Sequence, residues 1–148
     1  MGRQNILVME VIGVNKSSKW GGKIMVETDS IFNTIKHMLG VEPEYTHFDN
    51  DILAHINTAI NILGQVTGFK KEGYSIKGPS ETWADYMGED FKHTMMVKTC
   101  IYNRVRLLFD PPLNSSVMDL MKSNLSELEY RLKLELDREA EDGPVDNS

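Results

Sequence analysis

The sequence predicts a mostly α fold, a small helical bundle with a long C-terminal helix. Two observations carry that expectation. From about position 25 onward, apolar residues recur at spacings of three and four, the period of one helix face. The two longest such segments are separated by Asp110-Pro111-Pro112. Proline fixes its own φ, lacks an N–H, and pushes the preceding residue out of the helical region, so neither segment continues into the other. The result is an antiparallel helical hairpin, over which the shorter helices pack.

The elements follow in order. A short amphipathic helix spans about 30–39, with Ile31, Ile35, Met38 and Leu39 on one side. Thr28, Asp29 or Ser30 is placed to cap it, and Gly40 to end it. Glu42-Pro43-Glu44 reads as a loop. A second helix covers about 50–63, with Asp49 as its cap and Gly64 and Gly68 marking its end. Its apolar stripe is Ile52, Ile56, Ala59, Ile60 and Leu63, and Asn50, Asn57, Asn61 and Gln65 fall mostly off that stripe.

Positions 69–79 carry Lys70-Lys71-Glu72-Gly73 and Lys77-Gly78-Pro79 around Tyr74-Ser75-Ile76. That composition predicts an exposed loop or small hairpin, and exposed loops commonly carry function. Ser80 is the expected cap of a short helix through Trp83, Tyr86 and Met87, stopped by Gly88. The next helix spans about 90–109, with Val97, Ile101, Val105 and Leu108 as its core stripe, widened by Cys100 and Leu107. Asn114 is placed to cap the longest helix, which spans about 115–136 or a little beyond, roughly 33 Å. Its stripe is Val117, Met121, Leu125, Leu128, Leu132 and Leu136, and Glu127 and Arg131 form a helical charge pair.

Three regions follow from this: an N-terminal extension at 1–24, a helical domain at 25–137, and an acidic, flexible tail at 138–148. The first region contains Ile6-Leu7-Val8-Met9-Glu10-Val11-Ile12, rich in strand formers. It reads equally as a short strand or arm of the domain, or as an extension ahead of an alternative start at Met25. It carries Arg3, Lys16, Lys19 and Lys23 against Glu10, a surplus of three positive charges, so the rest of a chain of net charge −6 carries −9.

Charge and composition exclude several classes. At 148 residues, 41% hydrophobic and 26% charged, the chain is long enough to bury a core without disulfides or metals. Phosphate neutralisation supplies most non-specific DNA affinity, so a chain this acidic is a poor candidate for gripping duplex DNA. It could still line a passage through which DNA slides. The single Cys100 forms no intramolecular disulfide, which fits a reducing compartment, and 6–14 is too short to span a bilayer and lacks the marks of a signal peptide. The expectation is a chain that is cytosolic when made.

Catalytic constellations do not emerge. The chain has no glycine-rich phosphate loop, nucleophile elbow or metalloprotease motif. Asp49-Asn50-Asp51 lacks the glycine and closing glutamate of a calcium loop. Asp51 and His55, one turn apart, make half a metal site with no second pair in view, and an acid near a helix start beside a flanking histidine accounts for both. Cys100 reads as a small core residue rather than a reactive thiol. Catalytic, metal and cofactor residues are therefore expected to be none.

A family resemblance enters on specific stretches. Asp51-Ile52-Leu53-Ala54-His55-Ile56-Asn57-Thr58-Ala59 resembles the second-helix segment of phage head-tail connector proteins, as does Glu81-Thr82-Trp83 through Tyr86-Met87-Gly88. The most specific stretch runs Val97-Lys98-Thr99-Cys100-Ile101-Tyr102-Asn103-Arg104-Val105-Arg106-Leu107-Leu108-Phe109-Asp110-Pro111-Pro112, followed by Val117, Met121 and Leu128-Glu129-Tyr130-Arg131-Leu132. The combination is similar to adaptor proteins of phages with long non-contractile tails that infect Gram-positive hosts. It covers about 25–136, so it says nothing of the first 24 residues.

The resemblance implies packed helices in a homo-oligomeric ring, usually of twelve copies, in the virion neck. Such a ring docks beneath the portal protein and extends the DNA channel. It presents a surface to the next connector, stopper or tail protein, and DNA passes without specific binding. No membrane partner is implied. The end of the last helix and the tail, with Leu136, Arg138, Glu139 and Pro144, become the candidate portal contact. The loop holding Phe69, Lys70, Lys71 and Tyr74 becomes the candidate channel-facing or neighbour-facing segment. Ring contacts are heterologous, and Phe69, Tyr74 and Trp83 are suitable aromatic anchors. The alternative is a small helical DNA-binding packaging or regulatory protein, using Lys92, Lys98, Arg104 and Arg106.

Overall fold

The computed structural model describes residues 29–143, so the N-terminal strand or arm, the alternative start and Pro144 lie outside the described residues. It is mostly helical, as the periodicity predicts. Helix α1 spans Ile31–Met38, α2 Asp49–Thr67, α3 Trp83–Met87, α4 Thr94–Phe109 and α5 Ser115–Glu141.

Local chemistry explains most boundaries. Ser30 caps α1, its Oγ accepting from the Asn33 N–H at 3.2 Å. Met38, expected on the apolar side of α1, lies exposed at its last turn. Asp49 is the first residue of α2 rather than its cap. Its carboxylate lies 2.8 Å from the buried Lys36 ammonium, which also donates to the Pro43 carbonyl at 3.0 Å. Those two bonds satisfy a buried charge and close the α1–α2 connection.

Helix α2 runs past Gly64 and stops at Gly68, whose φ of 84° suits a residue with no Cβ. Gly64 serves a different purpose. A Cβ there would lie 3.1 Å from the Phe69 carbonyl oxygen, so its absence lets the chain fold back against the helix. Thr82, not Ser80, caps α3, because it forms a reciprocal capping box with Asp85. Helix α4 begins four residues later than expected, after a turn at 90–93. Asn114 caps α5 as its position predicts, accepting from the Val117 N–H at 3.1 Å. Helix α5 runs beyond Leu136. It continues through Glu141, roughly 40 Å in all, so Arg138 and Glu139 are helical and not part of a flexible tail.

Ring and side-chain contacts fix the helix directions. Phe48 at the start of α2 packs edge-on against Phe109 at the end of α4, with centroids 5.3 Å apart. Phe69, just past α2, meets Phe91, just before α4, at 4.8 Å. Helices α2 and α4 are therefore antiparallel. In the hairpin, His93 meets Glu139 at 3.1 Å and Arg104 meets Glu129 at 2.6 Å, so α4 and α5 are antiparallel and α2 runs parallel to α5.

The core between these helices holds Ile52, Ile56, Ile60, Val97, Ile101, Val105, Leu125 and Leu132, all buried, and Leu128 packs half-buried against it. Trp83 of α3 is wholly buried over the same core, its indole donating to the Thr34 hydroxyl at 3.3 Å. Burying such side chains contributes about 1.5–3 kcal/mol each. Three expected core positions are corrected: Leu108 and Val117 are exposed, and Met121 is only half-buried. The cause is register. Pairing Arg104 with Glu129 brings the end of α4 level with about Asn124, so roughly two turns of α5 run on past the end of α4.

Candidate assembly surfaces

The Asp110-Pro111-Pro112 turn separates α4 from α5, and the Arg106 guanidinium closes over it. Its Nε donates to the Asp110 carbonyl at 2.6 Å and lies 3.7 Å from the Asp110 carboxylate. Beyond the turn, the overhanging start of α5 presents Leu113, fully exposed, with Val117 and Leu120 beside it and Leu108 at the end of α4. Tyr45 is exposed at the same end, its ring tilted against Phe48 at 5.6 Å, and Phe48 reaches Phe109. One end of the bundle thus carries an apolar, aromatic-edged surface. Local periodicity could not find it, because it depends on where α4 stops against α5.

The opposite end is charged. Phe69, Phe91, His93 and Glu139 form a continuous chain of contacts, which places the loop after α2 beside the end of α5. Lys70, Lys71, Lys92 and Arg138 are exposed there. The sequence named two separate candidates, a portal-facing C-terminus and a loop around Lys70 and Lys71. The structure brings both to one end. Leu136 packs half-buried against the core, while Glu139 bonds to His93.

The loop itself is not the free segment its composition predicts. Phe69 and Ile76 are buried, and Tyr74 stacks on the buried Tyr86 with centroids 4.8 Å apart. Asn57 grips the Ile76 backbone twice, its Oδ1 accepting from the N–H at 2.8 Å and its Nδ2 donating to the carbonyl at 2.9 Å. Lys77 N–H donates to the Glu81 carboxylate at 2.8 Å, and that bond is the main cause holding the Glu81 pKa below its usual value. Phe69, Tyr74 and Trp83 therefore anchor the loop and α3 to their own core. Lys70 and Lys71 alone remain exposed among the loop candidates.

The four basic residues singled out on α4 and just before it each have a partner within the chain. Arg104 is bonded to Glu129, Arg106 to Asp110, Lys92 lies 3.9 Å from Glu139, and Lys98 sits 5.2 Å from the Trp83 ring centroid. Reading a groove requires a basic helix face with free donors, which these four do not form.

Cys100, Asp51 and His55 are the remaining candidates for chemistry. Cys100 is buried between α4 and the core, and burial, reinforced by Glu129, pushes its thiol up to about 12. A thiol that stays protonated is a poor nucleophile. The Tyr86 hydroxyl is raised too, chiefly by burial, then by Tyr74 and Cys100. Asp51 and His55 lie one turn apart on α2, and among the described residues no three His, Cys, Asp or Glu side chains gather as a metal would need. No helix of the described residues is long and apolar enough to cross a membrane.

A family model described as "Phage connector protein" matches residues 31–139. That range holds all five helices up to the His93–Glu139 contact. No curated protein matches the chain, and no solved structure does.

Proposed function

The chain belongs to the phage connector protein family, and from that premise we propose that it is a structural head-tail connector subunit. It assembles into a ring of twelve copies in the virion neck, beneath the portal protein, and extends the DNA channel. It turns over no substrate and takes no cofactor. The observation that carries this reading is the two-ended bundle. One end offers the exposed apolar set Leu108, Leu113 and Val117, a kind of surface that marks protein contact sites. The other end offers charge.

The charged end, with Arg138, Glu139 and the residues that follow, faces the portal. Leu136 is committed to its own core, so the portal contact narrows to the end of α5 and the chain beyond it, Pro144 included. Lys70 and Lys71 lie at this same end. The apolar end faces the next connector, stopper or tail protein. Net charge −6 along a channel disfavours retention of DNA, because like charges repel at close range.

Electron microscopy of the purified protein mixed with portal tests the whole reading. The expected image is a ring seated on the portal, Lys70–Lys71 end inward. Absence of any ring, with or without portal, overturns it. Tight salt-dependent retention of free duplex in a gel-shift experiment would instead support the DNA-binding alternative.

A further inference from the structure

Two helix faces stand out once the core has been assigned. On α2, the side opposite the buried stripe carries Ala54, Thr58, Asn61 and Gln65, all exposed. From Ile52 to Phe69 the chain has no Asp, Glu, Lys or Arg, although charged residues make up 26% of the whole. Charge is depleted at the centres of protein interfaces, not on faces left to water. On α5, the side opposite the core carries Leu120, Ser123, Glu127, Tyr130 and Leu134 at spacings of four and three. Leu120 is 60% and Tyr130 62% exposed. The one charge in that row, Glu127, is neutralised by Arg131 at 2.6 Å.

The two faces are complementary. Ala54 and Thr58 leave a shallow step on α2, and Leu120, Tyr130 and Leu134 stand out as a ridge on α5, an arrangement by which helices pack. Copies of a chain of net charge −6 repel one another, so they meet most readily where net charge is absent. A ring needs two different faces on each subunit, each meeting the other on a neighbour.

Direction is constrained as well. Neighbours in a twelve-membered ring are related by a rotation of roughly 30°, so corresponding helices stay nearly aligned. Because α2 and α5 are parallel within the subunit, a neighbour's α5 must lie parallel to α2. Their C-terminal ends then coincide. The exposed Lys70 and Lys71 at the end of α2 meet the exposed Glu141 and Asp142 at the end of the neighbour's α5, opposite charges at the same level.

We propose that the copies join side to side by seating the outer ridge of α5, Leu120–Tyr130–Leu134, on the uncharged outer face of α2, Ala54–Thr58–Asn61–Gln65, of the next copy. The proposal rests on the ring reading above and assigns its subunit contact.

The test uses the full chain and two exposed substitutions. Asn61→Glu places a charge on the α2 face, and Tyr130→Glu places one on the α5 face. Circular dichroism confirms that each variant keeps its helices. In sedimentation velocity each variant alone is expected to lose the ring and run as a monomer. Mixed in equal amounts, they are expected to give one heterodimer and nothing larger, since only the unmodified α5 of the first and the unmodified α2 of the second can still pair. Rings that persist in either variant overturn the assignment while leaving the ring reading intact. So does dimerisation of either variant alone, or a mixture that stays monomeric. If the unmodified chain forms no ring even with portal, both readings fall together.

Discussion

Arg104 on α4 donates to Glu129 on α5 at 2.6 Å, and the Glu129 side chain is only 7% exposed. This pair sets the hairpin register, since with Glu129 fixed opposite Arg104 the start of α5 must overhang the Pro111-Pro112 turn. Removing one partner leaves an uncompensated buried charge. Arg104→Met is expected to cost about 3 kcal/mol of unfolding free energy. The double variant Arg104→Met, Glu129→Leu should recover most of that loss, because no buried charge remains. Urea denaturation of the two single variants, the double variant and the native chain measures the coupling. Additive losses would mean that the pair does not hold the register.

Asn57 supplies the two bonds that tether Ile76, and hence the segment 69–79, to α2. Replacing it with alanine orphans a backbone N–H and a carbonyl together. Asn57→Ala is expected to cost about 2 kcal/mol. Its sharper consequence is local, because Lys70, Lys71 and Lys77 then become trypsin sites on a loosened segment. Limited proteolysis followed by mass spectrometry should show cleavage at these lysines several times faster than in the native chain. Unchanged cleavage would mean that Phe69 and Tyr74 hold the loop without Asn57.

Cys100 ties alkaline stability to packing. Its thiol is pushed up to about 12 in the folded chain, whereas an unfolded cysteine ionises near 8.5. Between those values the unfolded chain has released the proton and the folded chain still holds it, so stability falls as pH rises. The contribution is fully present below about pH 8.5 and fades by at most about 1.4 kcal/mol per pH unit above it. Tyr86, also raised, adds a similar fall starting near its ordinary value of 10.0. Urea midpoints should therefore decline from pH 8 to pH 10 in the native chain and more shallowly in Cys100→Ala. Equal slopes would show that Cys100 is not protected by burial.

How much of this was readable in the sequence varies with the range of the interactions involved. The five helices were legible because amphipathic periodicity and caps such as Ser30 and Asn114 are local signals. The antiparallel hairpin was legible because Pro111-Pro112 leaves few alternatives. The exposure of Leu108 and Val117 was not, since both fit the apolar stripe and only the Arg104–Glu129 register places them beyond its partner helix. The inward turn of Phe69, Tyr74 and Trp83 depends on Tyr86, Phe91 and Thr34, with Thr34 and Trp83 far apart in sequence. The end of α5 was hidden by its own composition. Arg138 and Glu139 read as part of an acidic tail, and only the contact with His93 shows Glu139 belonging to the bundle.

That contact separates two roles of the C-terminus, and two truncations resolve them. A chain ending at Asp142 keeps α5, the Arg138–Glu135 pair and the Glu139–His93 bond. A chain ending at Asp137 loses both, together with the last turn of α5. Arg138 is exposed and the His93–Glu139 bond is only partly buried, so the shorter chain is expected to lose about 1 kcal/mol of stability. If the portal grips residues beyond α5, both truncations should lose portal binding equally. If it grips the helix end itself, the chain ending at Asp142 should bind nearly as well as the native protein and the chain ending at Asp137 should not. Portal pull-down at matched concentrations, with circular dichroism to confirm folding, reads the difference. Full binding by the chain ending at Asp137 would place the portal contact elsewhere, and would remove the assignment of the charged end to the portal.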